Sequence, residues 1–202
     1  MDKYHLDALV ATSPENNLYV SDMCSHTQQY LREALFFSIL SYSGEVAVVV
    51  PISDIDTFVY KDLKINDVRC YGEFFLNIAE DFKQATEIEK KLIRTLKKVK
   101  RGRTAENVLI EVLKEKGLDT KNIGIDESGI SYRTLMSIKN KIPESKIVEA
   151  SSIFREVRMI KTSREITLLK KAIEICEKAV NSAFSIAREG VAETDLSLNF
   201  YN

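Results

Sequence analysis

The stretch of sequence that decides the fold lies near the carboxyl end, at residues 162–190: TSREITLLKKAIEICEKAVNSAFSIAREG. Its apolar residues recur at alternating spacings of three and four, which indicates one continuous apolar stripe along an α-helix. Thr162 and Glu165 have the spacing of a capping box at the start of that helix, and Gly190 is suited to end it. The apolar stripe consists of Ile166, Leu169, Ile173, Cys176, Val180, Ala183 and Ala187.

Such a stripe needs a partner surface, because a long apolar strip is rarely exposed on a monomer. After residue 190 a further amphipathic element opens, and the sequence reaches Asn202 before that element has a complete face. We therefore expect the chain to be the front part of a longer protein. We predict a first domain at residues 1–157, and at residues 158–202 the linker and first long helix of a truncated second domain.

Composition places the chain among ordinary globular proteins, with 45% apolar residues, 29% charged residues and a net charge of −1 over 202 residues. The sequence contains neither an apolar run of about 18 residues, as a membrane span requires, nor a signal peptide. We therefore expect a cytoplasmic protein with no membrane partner. Three distant cysteines, Cys24, Cys70 and Cys176, are typical of reduced thiols rather than of a disulfide framework.

Strands that alternate with helices before residue 158 predict an α/β fold, with a mixed β-sheet flanked by helices. The basic residues at 97–103 follow an acidic start of the helix predicted at 80–100, which suits the helix dipole, so they require no nucleic-acid partner. Apolar runs predict strands at 7–12, 18–20, 35–40, 46–50, 68–71, 123–126 and 146–149. Periodicity and caps predict helices from residue 53 and at 80–100, 104–116, 131–142 and 151–157.

Few residues offer a catalytic or metal-binding pattern. The chain has two histidines, His5 and His26, without the spacing of a metal site, so we assign no catalytic residue, metal ligand or cofactor to it. His26 lies in a polar segment, where a solvated histidine is the simpler interpretation and a substrate-facing one the alternative. Asp126 and Glu127 form a carboxylate pair at a strand end, but adjacent side chains point apart and we favour helix capping.

Several segments, in this order along the chain, resemble the creatinase/prolidase/aminopeptidase P family, the pita-bread metallopeptidases. The most specific are an Arg-x-x-Lys-[Ser/Thr]-x-x-Glu-Ile pattern at residues 158–166 and a Gly-x-x-Glu pattern at 190–193. Two positions depart from the family: Asp22 stands where glycine is frequent, and Ala192 replaces the usual threonine. The remaining segments that carry the resemblance are residues 7–21, 123–127, 131–132, 148–151 and 171–172.

The resemblance implies a non-catalytic domain like the amino-terminal domain of creatinase and prolidase, followed by an Xaa-Pro dipeptidase or aminopeptidase domain that acts on proline-containing peptides. In that family two Asp, one His and two Glu hold two divalent metal ions, such as Mn, Co or Zn, and none of these ligands matches a position in this chain. The amino-terminal domain helps to form a homodimer and overhangs the partner's active site. Any substrate contact would then come from residues 21–30, with His26 and Tyr30 as the candidates.

Two other interpretations stay open. Relatives of this fold that lack the metal ligands serve as binding domains, for instance in a histone-chaperone subunit, so the parent protein is alternatively an interaction module. A further interpretation treats the chain as a complete α/β domain that binds a small molecule. It leaves the apolar stripe without a partner, unless the chain dimerises or folds this helix back on itself to cover the stripe.

Overall fold

The computed structural model describes residues 1–31, 33–61, 63, 65–74 and 85–201. They divide into two compact units, Met1–Phe154 and Arg155–Asn202, which we describe separately. The division falls within a helix, Ser151–Met159, a few residues before the domain boundary predicted at residue 158.

A seven-stranded β-sheet forms the centre of the first unit, as far as the structure describes the chain. Strand β2 is antiparallel to both of its neighbours, and the other strand pairs are parallel, which confirms the predicted α/β fold with a mixed sheet. The strands are β1 (Ala8–Ala11), β2 (Phe37–Ser41), β3 (Val46–Pro51), β4 (Asp67–Tyr71), β5 (Lys100–Gly102), β6 (Asn122–Ile125) and β7 (Lys146–Glu149), in the order β5-β4-β3-β2-β1-β6-β7.

Helices cover both faces of this sheet. The described α-helices of the first unit are α1 (Pro14–Ser21), α2 (His26–Tyr30), α3 (Ile55–Lys61), α4 (Glu87–Lys98), α5 (Ala105–Glu115), α6 (Tyr132–Lys141) and α7 (Ser151–Met159), whose last residues belong to the second unit. Short 3₁₀ turns lie at Asp2–Tyr4, Ile52–Asp54 and Glu127–Gly129. In the second unit, α8 (Ser163–Ile186) is followed by α9 (Glu193–Tyr201).

The core is built differently on the two faces of the sheet. One face carries the largest apolar cluster, in which α5 and α6 pack on the side chains of Val10, Ile39 and Val49. The other face carries two smaller clusters, one under α3 and α4 around Val50 and one under α7 around Leu9. Helix α1 packs on β1, β2 and β3 between these clusters, and the side chains that it buries are polar.

Helix α1 corrects the strand predicted at residues 18–20. Pro14 occupies the first turn, where its missing N–H is no loss, and Ser13 precedes it as the N-cap residue. Asn16 and Asn17 are buried, whereas Leu18 and Tyr19 are exposed and Val20 is half-buried against the Leu9 cluster. The polar cluster at residues 13–17 favours a turn or a helix start, and the structure shows that the helix starting there continues through the short apolar run.

Helix α4 and strand β5 correct the helix predicted at residues 80–100. Residues 80–84 lie outside the described residues, and the observed helix begins at Glu87, after a capping box between Thr86 and Glu89. At the other end, β5 pairs in parallel with β4 at the edge of the sheet. Lysine and arginine are frequent on edge strands, where they prevent association with other chains, and this accounts for a strand without an apolar pattern.

The second unit confirms the predicted long helix and the capping box at its start. Thr162 N donates to Glu165 Oε2 at 2.7 Å and Glu165 N to Thr162 Oγ1 at 3.2 Å, which completes the capping box of α8. Gly190 has a φ of +85°, but it does not end α8, because the helix stops at Ile186 with Ala187 as its C-cap residue. The predicted end of the helix is therefore wrong, and Ala187 lies outside it. Ala192 precedes α9, and its carbonyl oxygen accepts the backbone N–H of Asp195.

The apolar stripe of α8 is open in this structure. Leu169 is 50% exposed and Ile173 is 56% exposed, and together with Cys176 and Val180 they line a groove of about 520 Å³. Helix α9 packs on a different side of α8, where Phe200 and Tyr201 lie near Ile175. Among the described residues, no helix combines the length and the apolar character needed to cross a bilayer.

Candidate functional site

The candidate site lies at the edge of the sheet where β1, β3 and β6 end, which we call the carboxyl edge. Loops at this edge form ligand sites in many α/β folds. Thr12 and Ser13 follow β1, Asp54 ends the turn that follows β3, and Asp126 follows β6. Helix α2 lies above this edge because its inner side chains are hydrogen-bonded to these residues.

Helix α2 carries both predicted substrate-facing residues. His26 is its first residue and Tyr30 its last, so the polar segment predicted as a loop is in part helical. Residues four apart share one face of a helix, and both side chains are exposed, Tyr30 by 86%. The structure therefore brings the two candidates together on one outward face, which we call the α2 face.

The inner side of α2 is fixed by buried polar side chains that sequence reasoning missed. Ser25 Oγ accepts the backbone N–H of Gln28 at 2.9 Å and donates to Asp54 Oδ2. Asp54 Oδ1 accepts Thr27 Oγ1 at 2.5 Å and Thr27 N at 3.2 Å, so this carboxylate lies at the amino end of α2. A signal was present in the sequence, because Ser25 and Gln28 have the spacing of a capping box.

Gln28 and Asn17 connect α2 to the sheet. Gln28 Nε2 donates to the carbonyl oxygen of Thr12 at 2.8 Å, and Asn17 Nδ2 donates to the same oxygen at 3.0 Å. Asn17 Nδ2 also faces the carbonyl oxygen of Phe36 at 2.9 Å and Gln28 Oε1 at 3.4 Å. These two amides thereby join the end of β1, the start of β2, α1 and α2.

Asp22 explains how the chain turns between α1 and α2. It ends α1 in a left-handed conformation, with φ 57° and ψ 13°, and its backbone N–H donates to Leu18 O at 2.9 Å. Glycine adopts this conformation without steric cost, which accounts for its frequency at this position in the family that the sequence resembles. The aspartate thus preserves the turn in spite of the departure from the family pattern.

Asp126 is buried at the amino end of α1. Its Oδ2 accepts Ser13 N at 3.0 Å, Ser13 Oγ at 2.6 Å and Asn16 Nδ2 at 2.6 Å, while Oδ1 accepts Ser128 Oγ at 2.5 Å. Burial acts to raise the pKa of Asp126, but the hydrogen bonds from Ser128, Ser13 and Asn16 outweigh it and hold the pKa below its ordinary value. The carboxylate therefore anchors Ser13, the residue before α1, and caps the 3₁₀ turn Glu127–Gly129 by accepting Ser128 N.

Glu127 points to a different helix. Its Oε2 accepts the backbone N–H groups of Ala150 and Ser151, each at 3.1 Å, and its Oε1 accepts Ser151 Oγ, at the start of α7. Burial would raise the pKa of Glu127, but the bonds from Ser151 and from the backbone lower it below its ordinary value. The predicted capping role of this carboxylate pair is confirmed, with each member at its own helix.

An open cleft of about 400 Å³ lies at the same edge, between the segment before β2 and the start of α6. Gly129 forms part of its wall and packs closely against the backbone of Thr12 and Ser13. The other residues that line the cleft are Glu33, Leu35, Ser128, Ile130, Ser131 and Thr134.

The described part of the chain does not fit a metal pair. It contains no group of three or more His, Cys, Asp or Glu side chains arranged to hold an ion, so we assign no metal-dependent step to these residues. The three cysteines are free thiols, as predicted, and burial raises the pKa of Cys70 to about 12.

Comparison with known proteins identifies the family that has this fold. The model of the creatinase/prolidase N-terminal domain family matches residues 1–160. The chain belongs to this family. It is 32% identical over 89 residues to an Xaa-Pro dipeptidase of Pyrococcus furiosus, a match that covers 44% of this chain and 24% of that protein.

Solved structures share the fold over nearly the whole chain. The prolidase from Pyrococcus furiosus superposes with a TM-score of 0.61 at 21% identity and covers 99% of this chain, while the X-Pro aminopeptidase from Thermotoga maritima gives 0.64 at 15% identity and covers 96%. The matches take up 48% and 45% of those two chains, so this family member spans less than half the length of either.

Proposed function

We propose that this chain is the non-catalytic amino-terminal part of a metal-dependent Xaa-Pro peptidase, either a dipeptidase or an aminopeptidase. The observation that carries the proposal is the family match over residues 1–160, together with a relative named an Xaa-Pro dipeptidase. In this family the two Asp, one His and two Glu that hold the metal pair belong to the catalytic domain. The role left to this chain is structural and substrate-facing.

In this proposal the apolar stripe of α8 packs against the catalytic domain. Support comes from the exposure of Leu169 and Ile173 along a groove that the described residues of the second unit leave open. Burial of apolar surface contributes about 25 cal/mol per Å², so covering several half-exposed aliphatic side chains would add substantially to the stability of the whole protein.

The α2 face contacts substrate in the active site of a partner copy within a homodimer. Support comes from the exposure of His26 and Tyr30 and from their position on one helix face. An imidazole and a phenol can both donate hydrogen bonds, so the pair suits the carbonyl and carboxylate oxygens of a proline-containing peptide. No catalytic step is assigned to either side chain.

The first experiment assays the 202-residue chain for hydrolysis of Xaa-Pro dipeptides with Mn²⁺ or Co²⁺, and measures its bound metal. We expect no turnover and no stoichiometric metal. Hydrolysis by the purified chain would refute its non-catalytic role. The coding sequence downstream of Asn202 provides a second test, because the peptidase proposal requires the five metal ligands there, and the interaction-module interpretation predicts their loss.

The substrate-facing role is tested in the full-length enzyme by His26→Ala, with Gln29→Ala on the neighbouring residue as the matched control. We expect His26→Ala to raise the KM for Xaa-Pro substrates about tenfold, the effect of losing about 1.4 kcal/mol of binding. The control should leave KM unchanged. Equal kinetic constants for the two variants would show that the α2 face does not contact substrate.

A further inference from the structure

We propose that Asn17 and Gln28 are positioning residues that hold α2 in one orientation, so that the α2 face is a preorganised platform and not a mobile lid. The assignment of this face to substrate rests on the function proposed above. The platform itself rests on hydrogen bonds within the first unit.

The first observation is that α1 buries polar side chains where it packs on the sheet. Asn17 is fully buried and Ser21 nearly so, whereas Leu18 is 44% exposed. Burying an amide in place of a leucine forgoes hydrophobic stabilisation and requires hydrogen bonds. Asn17 makes them through Nδ2, while its Oδ1 is buried with no hydrogen-bond partner among the described residues. The polar face of α1 therefore contributes specific connections that an apolar face would lack.

The second observation is the set of groups that Asn17 joins. Its Nδ2 faces carbonyl oxygens of Thr12, Phe36 and Gln28, which belong to the end of β1, the residue before β2, and α2. Since all three are acceptors, the amide nitrogen rather than its oxygen must point toward them, which fixes the orientation of this side chain. Asn17 thus locates α2 with respect to two central strands.

The third observation is that α2 is too short to be stable by itself. A helix of five residues has no intrinsic stability in water, so its geometry depends on tertiary contacts. Gln28, 1% exposed in the middle of this helix, donates to Thr12 O at 2.8 Å. Asp54 binds the amino end of the helix through Ser25 and Thr27.

These contacts fix α2 at two separate points, the end of β1 and the turn after β3. A helix held at two points cannot rotate about its axis without breaking buried hydrogen bonds, which leaves unpaired groups that are costly in the interior. His26 and Tyr30 therefore keep their direction relative to the sheet. Such preorganisation lowers the entropic cost of binding a ligand.

The test is hydrogen–deuterium exchange of the 202-residue chain, comparing Gln28→Glu with wild type. The glutamate keeps the shape of the side chain but cannot donate to Thr12 O when ionised. Gln29→Glu, an exposed change of the same chemistry on the next residue, is the matched control. We expect amides of residues 27–31 to exchange at least tenfold faster in Gln28→Glu, while those of β1 and β6 stay unchanged.

Three results would overturn the proposal. The first is exchange of residues 27–31 in wild type at the rate of an unstructured peptide, a measurement that needs no variant to fold. The second is unchanged exchange of α2 in Gln28→Glu. The third is equal loss of protection in α2 and in the sheet, which would give Gln28 a role in global stability only. None of these depends on peptidase activity, so this proposal and the proposed function fail separately.

Discussion

Replacement of Asp126 by asparagine is expected to destabilise the first unit by about 2–3 kcal/mol. The carboxylate accepts four donors on Oδ2, from Thr12, Ser13 and Asn16, and two on Oδ1, from Ser128. An asparagine can keep its oxygen on only one of these two sides, and its NH₂ group must then face N–H donors on the other. The negative charge near the amino end of α1 is lost as well.

The magnitude follows from the number of bonds that change. A hydrogen bond to a charged group contributes about 1.5–3 kcal/mol, and a buried donor left without an acceptor costs about 1–3 kcal/mol. If the asparagine oxygen takes the Oδ2 position, the Ser128 hydroxyl can turn to accept from the new NH₂ group, but Ser128 N loses its acceptor. The net loss of stability is therefore close to the contribution of one hydrogen bond to a charged group, plus part of the cost of one buried donor without an acceptor.

Urea unfolding at pH 7 measures the effect, with Glu111→Gln, an exposed carboxylate on α5, as the control for charge. Because the pKa of Asp126 is below its ordinary value in the folded protein, its stabilising contribution is present above the unfolded pKa of about 3.9 and is lost as the pH falls through the folded pKa. The difference in free energy of unfolding between wild type and Asp126→Asn should accordingly become smaller below about pH 4. A difference at pH 7 within about 0.5 kcal/mol, no larger than that of the control, would contradict this account.

Three further changes test other parts of the structure. Gly129→Ala places a Cβ 2.3 Å from a backbone nitrogen and should destabilise by more than about 3 kcal/mol in urea unfolding, whereas Gly44→Ala, in open space with φ +86°, should cost only about 1 kcal/mol. Asp22→Gly removes a strained left-handed aspartate and should raise stability by about 0.5–1 kcal/mol, seen as a higher Tm; an unchanged or lower Tm would argue against strain there. The 202-residue chain should self-associate through its open stripe in light scattering, and Ile173→Glu, but not Lys171→Glu, should restore the monomer; a wild-type monomer would contradict this expectation.

Much of the architecture was predictable because local signals and tertiary packing agree. The apolar runs that became β2 and β3 are buried in the sheet, and their continuous character reflects burial on both faces. Thr162 and Glu165 are three residues apart, so their capping box is a local interaction that spacing alone reveals.

The failures share a physical cause, which is dependence on distant partners. Helix α1 buries Asn17 because acceptors from Thr12 and Phe36 are brought to it, and no periodicity of apolar residues records that arrangement. Strand β5 has neither an apolar run nor alternation, and its conformation follows from pairing with β4, about thirty residues earlier. Residue propensities therefore predict neither the buried Asn17 nor strand β5.

In the candidate site, too, local features could be predicted from the sequence, whereas contacts between distant residues could not. The family resemblance pointed to His26 and Tyr30, but their common face became visible only when α2 was found to be a helix. The residues that support them were not predicted, since Asp54 lies 27 residues from Thr27 in sequence. The capping spacing of Ser25 and Gln28 was the one local signal, and in the structure Gln28 uses its side chain to reach Thr12 instead of completing the box.

Buried polar groups concentrate at the carboxyl edge, and their arrangement explains why they are kept there. An apolar replacement of a buried polar network is often no less stable, so such a network is better understood as specifying geometry than as adding stability. Asp126 accepts the backbone N–H of Ser13, directly before α1, and the adjacent Glu127 caps α7, so one turn after β6 binds the chain at the start of both helices. Helix α1 in turn places Asn17 against Gln28 of α2. A substitution at residue 126 should therefore increase hydrogen exchange in α2, although no atom of Asp126 contacts that helix through any hydrogen bond found among the described residues.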